Sequence, residues 1–471
     1  MYGMVRKISM WSLIFMFSIA SVFSFTGTGE ASFEASVDTV ILVDGETGRI
    51  LHQQNVDNPM PPASMTKMMS EYLILEAINN GDISWEDTVP INDYLAELSH
   101  DRSLSNVPLN VDEEYSVLDL YESVAIYSAN ASAMALAELI AGSEGEFVKM
   151  MNAKGEELGL GTLLRDAGEE YGMDNLAEIF EAELGDFQFV NSTGLPNRLL
   201  EGNHPEGTGE TEDNYMSAKA AATLGYHLVN DYPEVLDTAG IAEKTFREGT
   251  ADEIVMQNWN WMLEGTQYSD LDYEYVDGLK TGFTDGAGYT FTGTAEKEDQ
   301  RLITVVMKAD SEGHRFNETK KLMEWGFNNF SIQEVFPENM TLDGYESLPV
   351  TKGQKDQVEI VSTEAVSLLT HKDDEEAYSY TVELDEEQLN EDGELEAPIE
   401  EGQVVGQLVI NYNGEQEEEY LFGEELEART VDIVATEEVE RSGWFTLMFK
   451  GIGDFFSGLW TSVVDTVKGW L

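Results

Sequence analysis

Hydrophobic and polar positions change texture several times along the chain, and each texture predicts an element. The chain opens with Arg6 and Lys7, an apolar run from Trp11 to Phe25, and small residues at Gly29 and Ala31. A basic head followed by an apolar stretch shorter than the ~20 residues of a lipid span marks a secretory signal peptide over 1–31, and so an exported protein. From Val37, two extended runs, Thr39–Val43 and Arg49–Gln53, flank Asp44-Gly45-Glu46-Thr47-Gly48 and predict a β-hairpin. A Pro-rich loop, Pro59 to Pro62, then gives way to Ser64–Ile78, with helix formers and a sided apolar pattern, so a helix starts at or near Ser64.

Ser116–Ala141 predicts two helices parted near Ser128 to Asn130, and Glu144–Leu158 predicts another. Strand patterns return at Val276–Thr281, Tyr289–Ala295 and Arg301–Lys308, the last two joined as a hairpin, before a helical pattern over Gly313–Phe330. An early hairpin, a helical insert and late strands imply one α/β (α+β) domain over 32–337, with an antiparallel sheet built from both its ends beside a helical lobe. After Glu338 short β-branched runs such as Gln357–Val361, Ser379–Leu384 and Gln403–Tyr412 alternate with acidic turns. They predict a small all-β domain over 338–436. In the last segment, 443–471, Phe445, Phe449, Ile452, Phe456, Leu459, Val463, Val467 and Trp470 recur every three or four residues, with Trp444, Trp460 and Trp470 suited to a headgroup boundary. Its charges rule out a span, and an amphipathic helix lying on the membrane surface is expected.

Composition narrows the function classes. With 26 Lys+Arg against 91 Asp+Glu the net charge is −65, while 42% hydrophobic residues supply real cores. Such a surface repels phosphate backbones, which disfavours nucleic-acid binding, and suits a salt-loving or alkaline-living source. The chain has no cysteine, which removes disulfides, thiolate nucleophiles and Cys-based zinc sites. The acidic clusters Asp373-Asp374-Glu375-Glu376 and Glu417-Glu418-Glu419 lack cation-loop spacing and are expected to be solvated turns.

Three short motifs carry chemistry. Ser64-Met65-Thr66-Lys67 places an amine one helical turn from a hydroxyl. Burial, a helix N-terminus and a second cation would each favour the neutral amine, and Ser64 then becomes an acyl-accepting nucleophile. Ser128-Ala129-Asn130 falls at the predicted helix break, where a hydroxyl and an amide can turn to a cleft. Lys280-Thr281-Gly282 ends a strand that, at a sheet edge, could pair with an extended peptide, with Gly282 allowing close approach and Lys280 with Thr281 holding a carboxylate. Each motif alone is common; their order and placement are not.

Together they match the S-x-x-K, S-x-N, K-T-G signature of the serine acyltransferases, the penicillin-binding proteins and class A β-lactamases. Pro62 to Lys67, Phe189-Val190-Asn191-Ser192-Thr193-Gly194-Leu195, Asp277 to Gly282 and Lys320 to Phe327 further resemble low-molecular-mass penicillin-binding proteins, the exported D-alanyl-D-alanine carboxypeptidases of Gram-positive bacteria. The resemblance implies a β-lactamase/transpeptidase-like catalytic domain, Ser64 as nucleophile, Lys67 as general base, and Ser128 as relay. Asn130 would contact the substrate amide, Lys280, Thr281 and Gly282 would form the substrate strand, and the backbone N–H groups of Ser64 and Phe283 would be the oxyanion hole. It implies peptidoglycan stem peptides as substrate, β-lactams as inhibitors, the outer face of the cytoplasmic membrane as partner through 443–471, and no cofactor or metal. Two departures, Phe283 after K-T-G and Ala220 where many relatives carry Asp, bear on specificity and deacylation. A β-lactamase is the nearest alternative, and Glu181-Ala182-Glu183-Leu184-Gly185 a near miss to its E-x-x-L-N loop. A non-catalytic acidic surface protein would explain the charge but not three ordered motifs.

Overall fold

The computed structural model describes residues 33–372, 374, 377–414, 417–423 and 430–443. The expected signal peptide, the expected membrane-surface helix from 444 on and most of the acidic run 373–376 lie outside them. Among the described residues no helix is long and apolar enough to cross a membrane.

The hairpin forms as its pattern requires: β1 (Thr39–Asp44) and β2 (Arg49–Gln54) pair antiparallel, and Asp44 accepts hydrogen bonds from the backbone N–H (3.0 Å) and hydroxyl (2.5 Å) of Thr47 to close the turn. Three late strands, β3 (Val276–Thr284), β4 (Gly288–Lys297) and β5 (Gln300–Ala309), complete the sheet in the order β2-β1-β5-β4-β3. All these pairings are antiparallel, and β1 lies against β5 with Val40 opposite Val306. The first and last parts of the domain therefore share one sheet, and β3, which carries Lys280 to Phe283, is left at its edge.

The helical lobe is organised around α1 (Lys67–Asn80). Nine consecutive residues from Lys67 to Leu75 are buried, so the helix is wrapped on every side and not amphipathic. Met68, Met69, Leu73, Ile74 and Leu75, each contributing roughly 2 kcal/mol by burial, fix it in the core. Gly81, in the left-handed region at φ 76°, ends it. Next come α2 (Val117–Tyr127), opened by a Ser116–Asp119 capping box, and α3 (Asn130–Ala141). The predicted break between them is real: Ser128 turns left-handed at φ 60° and Ala129 is extended.

The C-terminal β domain holds a six-stranded sheet over a core that includes Leu348, Ile360, Leu408 and Ile433. Its first strand, Phe330–Phe336, pairs with Val366–His371 and directly follows the helix α6 (Glu312–Asn329).

One expectation is corrected. In the cluster Glu417 to Glu419 the outer two side chains are solvent-exposed as expected, but Glu418 is not, and the segment enters a strand and not a turn. Glu419–Tyr420 pairs antiparallel with Ile50 and Arg49, adding a sixth strand to the catalytic sheet, and Leu421 is buried in the catalytic core. Arg49 supplies the reason. Its buried guanidinium makes an ion pair with Glu418 at 2.8 Å, donates to the Leu369 carbonyl and the Tyr378 hydroxyl, and faces the rings of Phe330 and Tyr412. A run of carboxylates reads as solvent-facing until a buried cation from 369 residues earlier, invisible in local sequence, meets it. Breaking a buried ion pair from one side is costly, so Arg49→Ala should lower stability by about 3 kcal/mol, read from chemical unfolding.

Candidate active site

Ser64 lies in the 3-10 turn Ala63–Thr66 that leads into α1, half-exposed, while Lys67 at the start of α1 is completely buried. The Lys67 Nζ lies 3.1 Å from Ser64 Oγ, 2.8 Å from Asn130 Oδ1 and 2.7 Å from the Thr193 carbonyl oxygen. Asn130 and Thr193 offer only acceptors there. A neutral amine has two N–H bonds and one lone pair; if the carbonyls take the N–H bonds, the lone pair is left for the Ser64 hydroxyl. That is the orientation of a base aimed at a nucleophile.

Electrostatics favour the same state. Burial, with the charge of Lys280 adding to it, holds the Lys67 ammonium well below the usual lysine range, while the carboxylate of Glu71 opposes the shift. Lys280, buried on β3, is lowered to about 8 by burial, with Arg315 lowering it further and Glu71 raising it. Glu71 is buried one turn beyond Lys67, and burial pushes its carboxyl up against the pull of both lysines.

The backbone around Ser64 is squeezed into place. Ala63 is held left-handed at φ 49°, a costly state for a residue with a side chain. Gly194, at φ 81°, approaches so closely that a Cβ there would sit 1.9 Å from the Ala63 carbonyl oxygen. Gly282 was expected to make room for a peptide. Its missing side chain instead admits the protein's own loop, since a Cβ would lie 2.6 Å from the Pro62 carbonyl oxygen and 2.5 Å from Thr290 Oγ1. The Thr193 carbonyl is held by its own turn: Asn191 Oδ1 accepts from the backbone N–H groups of Thr193 (3.0 Å) and Gly194 (2.8 Å). Glu144 Oε1 accepts from Ser192 N–H, and Ser70 on α1 donates to the Ser192 carbonyl at 2.7 Å.

The fold brings the sequence-predicted residues together. Ser64, Lys67 and Asn130 are linked directly; Lys280 is near enough to act on Lys67. Ser128 lies at the same break, its buried hydroxyl without a hydrogen-bond partner. Thr281 is buried on β3, and Phe283 is half-exposed, its ring stacked on Tyr289 at 4.3 Å. Glu181, the near miss to a lactamase loop, ends the short helix Leu176–Glu181 with an exposed side chain.

Sequence reasoning gave no role to four groups. Thr193 and Gly194 stood in a quoted stretch but act through a carbonyl and an absent side chain. Ser105 and Asn106 pin the helix break, Ser105 through its carbonyl to the N–H and Nδ2 of Asn130 and Asn106 through Oδ1 to the N–H of Ala131. Arg315, in the first turn of α6, is buried against β3, donates to the Gly282 carbonyl at 2.9 Å, and keeps its Nε unpartnered. Glu71 looked like one more acid in an acidic chain. The S-x-x-K spacing could have flagged it, since position i+4 from Lys67 must share its buried face.

Comparisons with known proteins agree with this geometry. The model of the D-alanyl-D-alanine carboxypeptidase family of peptidases matches residues 26–164 and 171–311, and that of the penicillin-binding protein 5 C-terminal domain matches 330–441. The chain is 28% identical over 428 residues to the D-alanyl-D-alanine carboxypeptidase DacF of Bacillus subtilis, covering 91% of this chain and 92% of that one. It is 29% identical to DacC of Escherichia coli over 86% of this chain and 84% of that one. Among solved structures, a peptidoglycan synthesis regulatory factor (PBP3) of Streptococcus pneumoniae is 30% identical with TM-score 0.66, covering 86% of this chain and 100% of that one. Penicillin binding protein 5 of Haemophilus influenzae is 26% identical with TM-score 0.59, covering 87% and 99%. A serine hydroxyl beside a buried amine, an antiparallel sheet with a helical lobe, a following β domain and these matches lead to one conclusion: the chain belongs to the D-alanyl-D-alanine carboxypeptidase family of serine peptidases.

Proposed function

We propose that this protein removes the terminal D-alanine from peptidoglycan pentapeptide stems through an acyl-enzyme on Ser64. The observation that carries the reading is the buried Lys67 amine, with two carbonyl partners and one hydroxyl partner. Ser64 Oγ attacks the carbonyl between the two last D-alanines as its proton passes to Lys67 Nζ. The tetrahedral oxyanion is met by the N–H groups of Ser64 and Phe283. When the C–N bond breaks, the proton goes to the departing D-Ala amine, with Ser128 as relay. Water then attacks the ester; Lys67 takes its proton, and the proton returns to Ser64 Oγ as the shortened peptide leaves.

The substrate lies along the open edge of β3, its amide against Asn130 and its terminal carboxylate against Lys280 and Thr281. Arg315 behind that strand adds a permanent positive charge. Penicillins, which offer a strained amide in place of the D-Ala-D-Ala bond, acylate the same Ser64. Segment 1–31 exports the chain, 32–337 is the catalytic domain, 338–436 a spacer, and 443–471 holds the enzyme on the outer face of the cytoplasmic membrane.

Incubation with a synthetic D-Ala-D-Ala pentapeptide should yield, by mass spectrometry, loss of a single alanine; the intact peptide after long incubation counts against the proposal. Fluorescent penicillin should label wild type stably and Ser64→Ala not at all, whereas rapid loss of label would indicate a β-lactamase. Acylation should rise with pH as Lys67 loses its proton and fall again above about pH 8 as Lys280 loses the charge that binds the carboxylate, a bell-shaped profile. Gly194→Ala should cut the acylation rate by about a hundred-fold, because displacing the Thr193 carbonyl and the Ala63 backbone misplaces both base and nucleophile.

A further inference from the structure

Glu71 has no part in the steps above, yet it lies within the buried run of α1. It is 3% exposed, and its Oε1 has no hydrogen-bond partner. Met68, Ile74 and Leu75, three or four residues away on α1, are apolar, and an apolar side chain at 71 would avoid the cost of burying a carboxylate. The groups that face it define its role. Lys67 stands one turn back on α1, Lys280 comes from β3, and Tyr121 comes from α2 with a buried, unpartnered hydroxyl that burial and the Glu71 charge keep protonated. Glu234 acts on Tyr121, and Arg315 of α6 acts on Lys280. The other charged groups near α1 are engaged elsewhere, Lys154 with Glu76 and Asp231 with Tyr72.

The site thus holds two buried lysines and one buried carboxylate whose charge bears on both. The lysines differ in their other contacts. Lys67 Nζ is surrounded by three oxygens at 3.1 Å or less, whereas Lys280 Nζ donates to the Thr281 carbonyl at 3.3 Å. One negative charge compensates one ammonium in a dry site, and the second amine is then better off neutral. We propose that Glu71 is a positioning residue that divides protons between the two lysines, holding Lys280 as the ammonium that grips the substrate carboxylate and so leaving Lys67 as the free base. The inference rests on the acyl-transfer reading above.

The test is the pH profile of acylation by fluorescent penicillin for wild type, Glu71→Gln and Glu71→Asp. Without the carboxylate both lysines lose protons more easily, so in Glu71→Gln both limbs move to lower pH by about one unit. At pH 8 that shift leaves the charged fraction of Lys280 about five-fold smaller. Glu71→Asp, which keeps the charge, returns both limbs toward their wild-type positions whatever rate it reaches. Should Glu71→Gln fail to fold, Glu71→Met, matched to the neighbouring Met68 and Met69, serves as the second neutral variant. Limbs that stay in place while only the plateau rate changes would show a purely structural residue and overturn the inference. A wild type that takes no label at any pH would instead overturn the acyl-transfer reading, and this inference with it.

Discussion

Lys67 sits in a helix with protein on every side, and keeping an amine there dictates what surrounds it. An ammonium in that position would need three acceptors and a counter-charge; a neutral amine needs two acceptors and one donor. The site supplies a carbonyl from a helix break, a carbonyl from a constrained turn and a serine hydroxyl. Each comes from a different part of the chain, so the helical lobe, the break at Ser128 and the Asn191–Gly194 turn must all be correctly folded before the amine is held as it is. The left-handed Ala63 backbone fits the same logic, since the glycines packed against it hold a conformation the loop would not adopt alone.

The sequence made the elements legible where periodicity or turn chemistry was local. The hairpin at Asp44–Gly48, the break at Ser128–Asn130 and the three late strands each carry their own signal, and each forms within a few residues of its expected bounds. That Ser64 and Lys67 would stand side by side was legible because their motif joins side chains one helical turn apart. What stayed hidden acts across long separations or without a distinctive side chain. Thr193 contributes only a carbonyl, Gly194 only an absence, and Arg315 reaches β3 from a helix 33 residues downstream. Glu418 was hidden by its company, because a carboxylate among carboxylates looks solvated whether or not a buried arginine awaits it.

The charge distribution sets the site apart from the rest of the surface. A chain of net charge −65 buries Lys67, Lys280 and Arg315, three of its 26 lysines and arginines, close enough for Lys280 to act on Lys67 and Arg315 on Lys280. Long-range repulsion between this surface and an anionic peptide is screened within about 10 Å at ordinary salt, whereas cations inside the protein are screened much less. Attraction for a carboxylate is therefore local and persists where the outer field has been damped. High salt would weaken the barrier to approach more than the final grip.

Arg49 and the strand Glu419–Tyr420 join the β domain to the catalytic sheet by backbone pairing, an ion pair and the buried Leu421, so that β2 is not the margin of the sheet. The appendage finishes the catalytic fold as well as following it. Truncation after α6 would leave a vacant seam along β2, with bare amides, an uncompensated guanidinium and an apolar socket beside it. Such a seam invites a second molecule to fill it, and the shortened protein would tend to self-associate.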